Sequence, residues 1–422
     1  MKITHLSTYG GDGKVGSEVL RLDQSLKSSG VGSVLICLHQ ADHRSGAKLI
    51  SDGLFARLFA WFNTFAEHLL AKILTKKSGM PFSLQWFGRS VIHHPAVKEA
   101  DVIHLHWVND GFLSPKFLAQ LDELEKPVVW TFYDSNAFTG GCHDHRDCEH
   151  YHKECGLCPL LKISGKDDLS HHTWSRKKKA YSELNCHIIA GDKEMADAVK
   201  LSSLMGFREV VIIPKSIPKV FKPYLKAEAK KVLRIDPDKF VLMVNSTLLL
   251  EDVLKGAFNL LDTLNDLVGR PGIDPSNFEL VILGSKTGET LPAFPIKTTF
   301  LGTISNDEHL SKCYSAADVF IVPTLQDRLP DGVMESLSCA TPVVAFETTG
   351  TLRVVRHLEN GYLAEYGSLD DLATGIEWLY HDENAPDIQK EARRTILTQF
   401  SETVIAEKHL LLYQSLIDLQ PK

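Results

Sequence analysis

The chain alternates strand-like and helix-like segments over most of its length. The strand-like runs of the first half are KITHLST, VGSVLICL, ADVIHLHW, PVVWTFYD and CHIIAG, and those of the second half are VVIIPKS, KFVLMVNST, FELVILGS, TTFLGTI, DVFIVPT and TPVVAF. This alternation is typical of a parallel sheet covered by helices. Since 422 residues exceed the size at which a single core stops growing, the sequence predicts an α/β protein with two domains.

A proline-rich segment separates the two series of strands. The run IIPKSIPKVFKP carries three prolines, which cannot sit inside a central strand or helix. We therefore expect a first domain over residues 1–212 and a second over 213–395. A last segment, 396–422, is predicted to form an amphipathic helix with Ser401 as its N-cap, able to pack on either domain.

Charge and the N-terminal sequence narrow the class of protein. The formal net charge of −7 gives no general attraction to nucleic acid, so nucleic acid is not an expected partner. The opening MKITHLSTYGG reads as a strand and a turn rather than a secretory signal. We expect a cytoplasmic protein, in which the eight cysteines form no disulfide framework.

The segment after DVFIVPT has the features of an anion and sugar site. Gly332 and Val333 fall in the first turn of a predicted helix, whose free amides suit a phosphate or a sugar hydroxyl. Asp327 before the turn and Glu335 one turn inside it offer carboxylates to hydroxyl groups. The alternative is that these two residues are a loop acid and a helix-capping acid.

Two further groups are candidates for binding a diphosphate. Lys255 is predicted at a helix start after KFVLMVNST, where its ammonium would neutralise phosphate; the alternative is a solvated surface lysine. The turn at Gly10 and Gly11 links the first strand to a helix. Such glycine turns also serve simple strand-to-helix packing.

The block from Asp327 to Glu335 resembles the donor-binding signature of retaining family 4 glycosyltransferases, written E-x7-E, with Asp327 in place of the first glutamate. The resemblance implies the GT-B fold, in which two Rossmann-like domains have parallel sheets facing an interdomain cleft. It further implies that Asp327 contacts the transferred sugar and Glu335 the ribose. Gly332 and Val333 would then offer amides to the sugar, and Gly10 and Gly11 match the phosphate-side loop. No catalytic metal is expected.

The first half resembles bacterial colanic acid and other exopolysaccharide transferases of the same family. The resemblance rests on PFSLQWFGRSVIHHPAVKEADVIHLHWVNDGFLS and KPVVWTFYDSNAFTGGCHDHRDCEHYHKECGLCPLL. Where that group reads W-T-x-H-D, this chain has Tyr133 before Asp134, so Tyr133 takes the position of the histidine expected near the transferred sugar. Either the donor specificity has shifted, or the role of that histidine passes to His104, His106 or Asp134. A lone histidine in such a strand is otherwise more often structural. The resemblance implies transfer of a hexosyl group, from a UDP-sugar rather than a GDP-sugar, to a saccharide or lipid-linked acceptor.

Four cysteines lie close together in the segment 142–158, a cysteine-rich insertion in the first domain. Their C-x5-C-x6-C-x2-C spacing is compact enough for a structural zinc ion. The predicted ligands are Cys142, Cys148, Cys155 and Cys158, with His143, His145, His150 and His152 as substitutes. Reduced thiols without metal and a disulfide are the alternatives.

The segment from Leu54 to Lys77 is rich in apolar and aromatic residues but is interrupted by polar ones. We expect either an interfacial helix that makes the protein peripheral to the inner membrane, or a buried helix of the first domain.

Two other functions fit the same sequence. A sugar-nucleotide epimerase or hydrolase of the same two-domain shape would release product from the donor alone. A non-catalytic scaffold of a polysaccharide assembly complex would release no nucleotide diphosphate from any donor.

Overall fold

The computed structural model describes residues 1–40, 46–50, 53–76, 80–182, 184–284, 291–325, 331–381 and 385–420. Within the helix that spans Ser246–Gly269, the side chains of 247, 248 and 250–255 also lie outside the description. The chain divides into two compact units, Met1–Ser216 with Ile405–Lys422, and Ile217–Val404.

The first unit is built on a seven-stranded sheet in the order β3-β2-β1-β4-β5-β6-β7, in which every pair of neighbours is parallel. Its strands are β1 Lys2–Gly10, β2 Gly32–Gln40, β3 Lys48–Leu49, β4 Val102–Leu105, β5 Val128–Phe132, β6 Cys186–Ala190 and β7 Val210–Ile212. Its helices are α1 Gly13–Ser28, α2 Leu54–Leu74, α3 Pro95–Glu99, α4 Pro115–Ala119, α5 Leu169–Tyr181 and α6 Lys193–Leu201.

The second unit is built on a six-stranded parallel sheet in the order β10-β9-β8-β11-β12-β13. Its strands are β8 Phe240–Asn245, β9 Phe278–Leu283, β10 Lys297–Gly302, β11 Val319–Val322, β12 Val343–Phe346 and β13 Gly361–Ala364. Its helices are α7 Lys226–Leu233, α8 Ser246–Gly269, α9 Asp307–Ala316, α10 Asp331–Ser338, α11 Leu369–His381 and α12 Ala385–Gln399.

The last helix, α13, spans Glu402–Asp418 and completes the core of the first unit from Ile405 onward. Alternate residues of each strand face opposite sides of the sheet, so Val128 and Val129 enter two different apolar clusters. The cluster around Val129 includes Ile405 and Tyr413 of α13. This burial explains why the end of the chain belongs with the first unit.

The structure corrects two details of the predicted organisation. The run VVIIPKS was assigned to the second half, but β7 pairs with β6 in the first sheet. The division between units falls after Ser216 rather than after residue 212. Both differences have one cause. The apolar pattern predicts that VVIIPKS contains a strand, but it does not specify which strand it pairs with.

Each sheet has one point at which the strand order reverses, between β1 and β4 in the first unit and between β8 and β11 in the second. In open parallel sheets, ligands bind beyond the carboxyl ends of the strands at such points. The loops after these four strands are therefore the candidate ligand-binding positions.

Candidate functional site

Beyond β4 and β5, Asp134 is the centre of a hydrogen-bonded cluster. Its Oδ2 atom accepts from Trp107 Nε1 at 2.8 Å and from His143 Nδ1 at 2.7 Å. Its Oδ1 atom accepts from the backbone amide of Asn136 at 2.8 Å. The other ring nitrogen of His143 lies 2.8 Å from Ser83 Oγ. Asp134 therefore holds the loop after β5 in place.

The same contacts determine the ionisation of Asp134. Burial alone would raise the pKa of this carboxyl group, but the neighbouring His143 and the hydrogen bonds from His143, Asn136 and Trp107 together lower it. Asp134 is therefore a fixed carboxylate at neutral pH, with both oxygens occupied.

Tyr133 ends a chain of hydrogen bonds that runs into the sheet. Its hydroxyl lies 3.0 Å from His106 Nδ1, and His106 Nε2 lies 2.9 Å from His5 Nδ1. Burial lowers the pKa of His5 to about 4 and that of His106 well below its usual range, so both rings are neutral. Burial also raises the pKa of Tyr133. This chain of hydrogen bonds fixes a neutral hydroxyl beside Asp134, and both residues line a narrow pocket formed with β5 and the loop after β4.

His104 has a structural role in this unit. It is completely buried, and its ring nitrogens lie 2.6 Å from Tyr413 Oη and 2.8 Å from Thr131 Oγ1. It therefore ties β4 to β5 and α13.

Three histidines of this cluster lie close enough to be considered as metal ligands. Ring nitrogens of His5, His104 and His106 lie within 4.8 Å of one another. However, both nitrogens of His104 and of His106 already have hydrogen-bond partners. Only His5 Nε2 has no partner within the described part of the chain. This pattern favours a hydrogen-bonded network over a metal centre.

A buried lysine supports the loop that carries Asp134. Lys177 of α5 is fully buried, and its ammonium donates to the backbone carbonyls of Asn136 and Thr139, the latter at 3.1 Å. Burial lowers the pKa of Lys177 to about 7, although nearby thiols and Asp134 oppose this shift. The lysine thus crosslinks α5 to the turn after β5.

The cysteines predicted to bind zinc all have free thiols. Burial raises the pKa of Cys142 to about 11 and that of Cys155 to about 12. A tetrahedral thiolate site with Zn–S bonds of about 2.3 Å places sulfur atoms about 3.8 Å apart. All four cysteines are among the described residues, and no three of their sulfur atoms lie within 4.8 Å of one another. The thiols are thus farther apart than in a formed zinc centre, and structural zinc stays a prediction.

Close packing requires a glycine at the end of β1. A Cβ atom on Gly10 would lie 2.7 Å from Cys37 Sγ and 2.9 Å from the Ala47 side chain, so no larger residue fits. Gly11 has a φ of 104°, a conformation that favours glycine, and it leads into α1.

In the second unit, Glu335 is held by a residue that the sequence did not indicate. Glu335 lies one turn into α10, and its Oε2 atom accepts a hydrogen bond of 2.9 Å from the hydroxyl of Tyr314 in α9. Burial raises the pKa of Tyr314, and the neighbouring Glu335 raises it further. Tyr314 therefore donates to a carboxylate that is only partly exposed.

The start of α10 packs closely against the sheet. A Cβ atom on Gly332 would lie 2.9 Å from Phe320 Cζ and 3.1 Å from Tyr314 Oη. Val333 is completely buried. The first amides of the helix have no carbonyl partner within the helix, as in any α-helix. Asp327 lies outside the described residues.

The predicted position of Lys255 is wrong. We expected it at a helix start, but α8 begins at Ser246, directly after β8, so Lys255 lies about two and a half turns inside the helix. The run from Ser246 contains no proline or glycine that would delay the helix until Lys255. The side chain of Lys255 is outside the described part.

The second unit also contains a wider cleft beside β13. It is lined by Glu347, Arg356, His357, Tyr362, Glu365, Tyr366 and Asp371, among others. Tyr362 donates to Asp371 Oδ1 at 2.6 Å.

Residues 226–395 match the family model described as Glycosyl transferases group 1. This segment contains β8 and β11 to β13, Glu335 and its partner Tyr314. The second unit therefore carries a domain of this glycosyltransferase family. The family resemblance predicted from the sequence is thereby confirmed.

Curated relatives match this chain over only part of their own length. The N,N'-diacetylbacillosaminyl-diphospho-undecaprenol alpha-1,3-N-acetylgalactosaminyltransferase of Campylobacter jejuni is 27% identical over 212 residues, 48% of this chain and 52% of that protein. The capsular polysaccharide biosynthesis glycosyltransferase CapM of Staphylococcus aureus is 27% identical over 105 residues, 25% of this chain and 28% of that protein. The chain thus spans about half the length of these relatives, or less.

A solved structure has a fold similar to that of this chain. Anabaena Alr3699/HepE, in complex with UDP, has a TM-score of 0.58 and 16% identity, over 98% of this chain and 100% of that chain. At this identity the likeness concerns the fold alone. Together with the two parallel sheets, it confirms the predicted GT-B fold.

Sequence reasoning picked out some residues of the candidate site and missed others. Tyr133, Asp134 and His106 were predicted and lie together beyond β4 and β5. Tyr314 and Lys177 were missed. No pattern in the sequence indicates that a lysine will be buried. His143 was predicted only as a substitute zinc ligand.

Proposed function

We propose that the chain is a retaining glycosyltransferase that moves a hexosyl group from a nucleotide diphosphate sugar to a saccharide or lipid-linked saccharide acceptor. The proposed donor is a UDP-sugar rather than a GDP-sugar, and the proposed role is bacterial surface polysaccharide biosynthesis. One observation carries the proposal. Glu335 is fixed by Tyr314 near the start of α10, beside the strand-order reversal of the unit that matches the family model.

The proposed donor site uses the start of α10. Free amides at Gly332 and Val333, together with the helix dipole, stabilise negative charge on the donor. The Glu335 carboxylate accepts hydrogen bonds from the ribose hydroxyls. By the family resemblance, Asp327 contacts the transferred sugar and Lys255 neutralises the diphosphate. We expect no catalytic metal in this reaction.

The proposed acceptor side uses the ends of β4 and β5. Tyr133 offers a neutral hydroxyl whose position is fixed by His106. Asp134 has both oxygens engaged by the protein, so we assign it the orientation of this loop rather than proton transfer.

The names of similar proteins support the proposed lipid-linked acceptor and the proposed UDP-sugar donor. The Campylobacter relative is named for a diphospho-undecaprenol acceptor, and the Anabaena structure contains UDP. Both features are proposed for this chain by analogy.

A thermal-shift screen of UDP- and GDP-sugars tests the proposal. A donor at one hundred times its Kd should stabilise the protein by about 2.7 kcal/mol, because ligand binding favours the folded state. Glu335→Ala should abolish the shift. The matched control is Glu308→Ala, since Glu308 lies in α9 of the same unit and pairs with Lys312.

Three outcomes would contradict the proposal. Binding of donors by Glu335→Ala with unchanged affinity would overturn the assignment of the site. Release of a 2-epimer from the donor without acceptor would favour an epimerase. A product whose anomeric proton coupling shows the opposite configuration to the donor would exclude retention.

A further inference from the structure

Helix α2 has its polar and apolar sides reversed relative to an ordinary surface helix. One stripe at helical spacing consists of Phe55, Phe59, Phe62, Phe65, Leu69 and Ile73, which we call the apolar strip. These six side chains are between 44% and 88% exposed. The buried residues of the same helix are Ala60, Asn63 and Glu67. The alternative of a buried apolar helix is therefore wrong.

The inner side of α2 is held by polar contacts to the loop after β4 and to Gln85, and Leu70 and Leu74 near its end pack against a small apolar cluster. Thr64 Oγ1 donates to the backbone carbonyl of Asp110 at 2.8 Å, and His68 Nε2 lies 3.1 Å from Asp110 Oδ1. Glu67 accepts from the backbone amide of Gln85. These bonds orient the helix so that its apolar strip faces away from the unit.

The apolar strip is too large to be an ordinary surface feature. From Phe55 to Ile73 it extends about 27 Å along the helix at 1.5 Å per residue. Trp61 beside it is 61% exposed and stacks on Phe65, with ring centroids 5.3 Å apart. Contiguous exposed apolar surface of this kind marks an interaction site.

The charges around the strip identify its partner. In α2 and the two residues after it, the exposed charged side chains are Arg57, Lys72 and Lys76, while the only acidic residue, Glu67, is buried. Lys162 joins them, because its ammonium donates to the carbonyl of Ile73 at 2.6 Å. This local positive charge contrasts with the net charge of −7 of the chain.

We propose that α2 lies on the surface of a membrane that contains anionic phospholipid, with its apolar strip in the boundary between headgroups and acyl chains. Aromatic residues facing outward and basic residues at the edges suit such a surface. A second copy of the chain fits less well, because pairing two strips would bring their basic edges together. Among the described helices, none is long and apolar enough to cross a membrane.

Membrane binding through α2 would place the candidate acceptor site near the lipid. Asp110, which α2 contacts, belongs to the same loop as Trp107, the partner of Asp134. This placement suits an acceptor carried on a lipid. The binding itself does not depend on the proposed transfer reaction.

Flotation of the full chain with vesicles tests the proposal. The chain should float with vesicles of phosphatidylglycerol and phosphatidylcholine, and less with phosphatidylcholine alone. Trp61→Glu with Phe62→Glu should lower the partition coefficient at least about tenfold. The matched control is Phe207→Glu, since Phe207 is 69% exposed in the same unit but distant in sequence from α2. Its partition should stay within twofold of the wild-type value.

Two further measurements cover other outcomes. Acyl chains labelled with bromine should quench part of the tryptophan fluorescence, and Trp61→Phe should remove that part while preserving flotation. Should the double glutamate variant unfold, Phe62→Ser alone should lower binding by about threefold or more. Equal flotation of wild type and variant would overturn the proposal. A dimer in size-exclusion chromatography with light scattering that Trp61→Glu with Phe62→Glu converts to a monomer would also overturn it, in favour of a second copy.

Discussion

Removal of the Tyr314 hydroxyl tests whether the contact with Glu335 organises the donor site. The hydroxyl is buried and lies 2.9 Å from Glu335 Oε2. A hydrogen bond to a charged group contributes about 1.5 to 3 kcal/mol. If Glu335 binds the donor only in the position fixed by Tyr314, Tyr314→Phe should weaken donor affinity by about 10- to 100-fold.

Isothermal titration with the donor found by the thermal-shift screen measures this effect, and denaturation in urea reports on folding separately. The control is Tyr362→Phe, which removes the 2.6 Å bond from Tyr362 to Asp371 in the same unit. Both variants should lose about 1.5 to 3 kcal/mol of folding stability. Only Tyr314→Phe should lose donor affinity.

Two results would refute this reasoning. If Tyr314→Phe binds donor as the wild type does while Glu335→Ala does not, the hydroxyl has no positioning role. If Tyr362→Phe is the variant that loses affinity, the donor occupies the cleft beside β13 and the assignment to α10 is wrong.

Three other substitutions have defined outcomes. Asp134→Asn should cost about 1.5 to 3 kcal/mol in urea denaturation at pH 7, because it weakens the bonds to Trp107 and His143. Since the folded pKa of Asp134 lies below 3.8, this difference should shrink as the pH falls below that value. For Lys177, the folded pKa of about 7 lies below the ordinary 10.5, so the unfolded chain holds the extra proton between these values. The stability of the wild type relative to Lys177→Met should therefore rise with pH from 7 towards 10.5, by up to about 1.4 kcal/mol per pH unit; a flat difference would contradict the lowered pKa of Lys177. Gly332→Ala should lower thermal stability by about 1 to 3 kcal/mol, because its Cβ lies 2.9 Å from an aromatic carbon; an unchanged melting temperature would contradict this packing.

The strand pattern predicted most of the fold because fully buried parallel strands are continuous apolar runs. PVVWTFYD, for example, contains β5, Val128–Phe132. The pattern did not reveal β3, which has only two residues, or β13, which has four. It also could not place Lys255, because the helix that contains it continues without a break from β8.

The candidate site was predictable where its residues follow neighbouring strands. Tyr133 and His106 meet because β4 and β5 are adjacent and parallel, so their carboxyl ends lie side by side. Tyr314 and Glu335 lie on two different helices, and their contact depends on how α9 and α10 pack. A contact between side chains of two different helices has no fixed separation in sequence, so no sequence pattern could indicate it.

The reversed polarity of α2 also affects how easily this helix opens. The apolar residues of α1, such as Val19, Leu22 and Leu26, are buried, so detaching α1 would expose core to water. Detaching α2 instead breaks a few hydrogen bonds, each contributing about 0.5 to 1.5 kcal/mol. It also removes the apolar contacts of Ala60, Leu70 and Leu74, but it leaves the apolar strip as exposed as before. Local opening of α2 should therefore need less free energy than global unfolding, and its amide protons should exchange with deuterium faster than those of α1. A bound bilayer would suppress this exchange, so the protein would gain local order only where it meets its membrane.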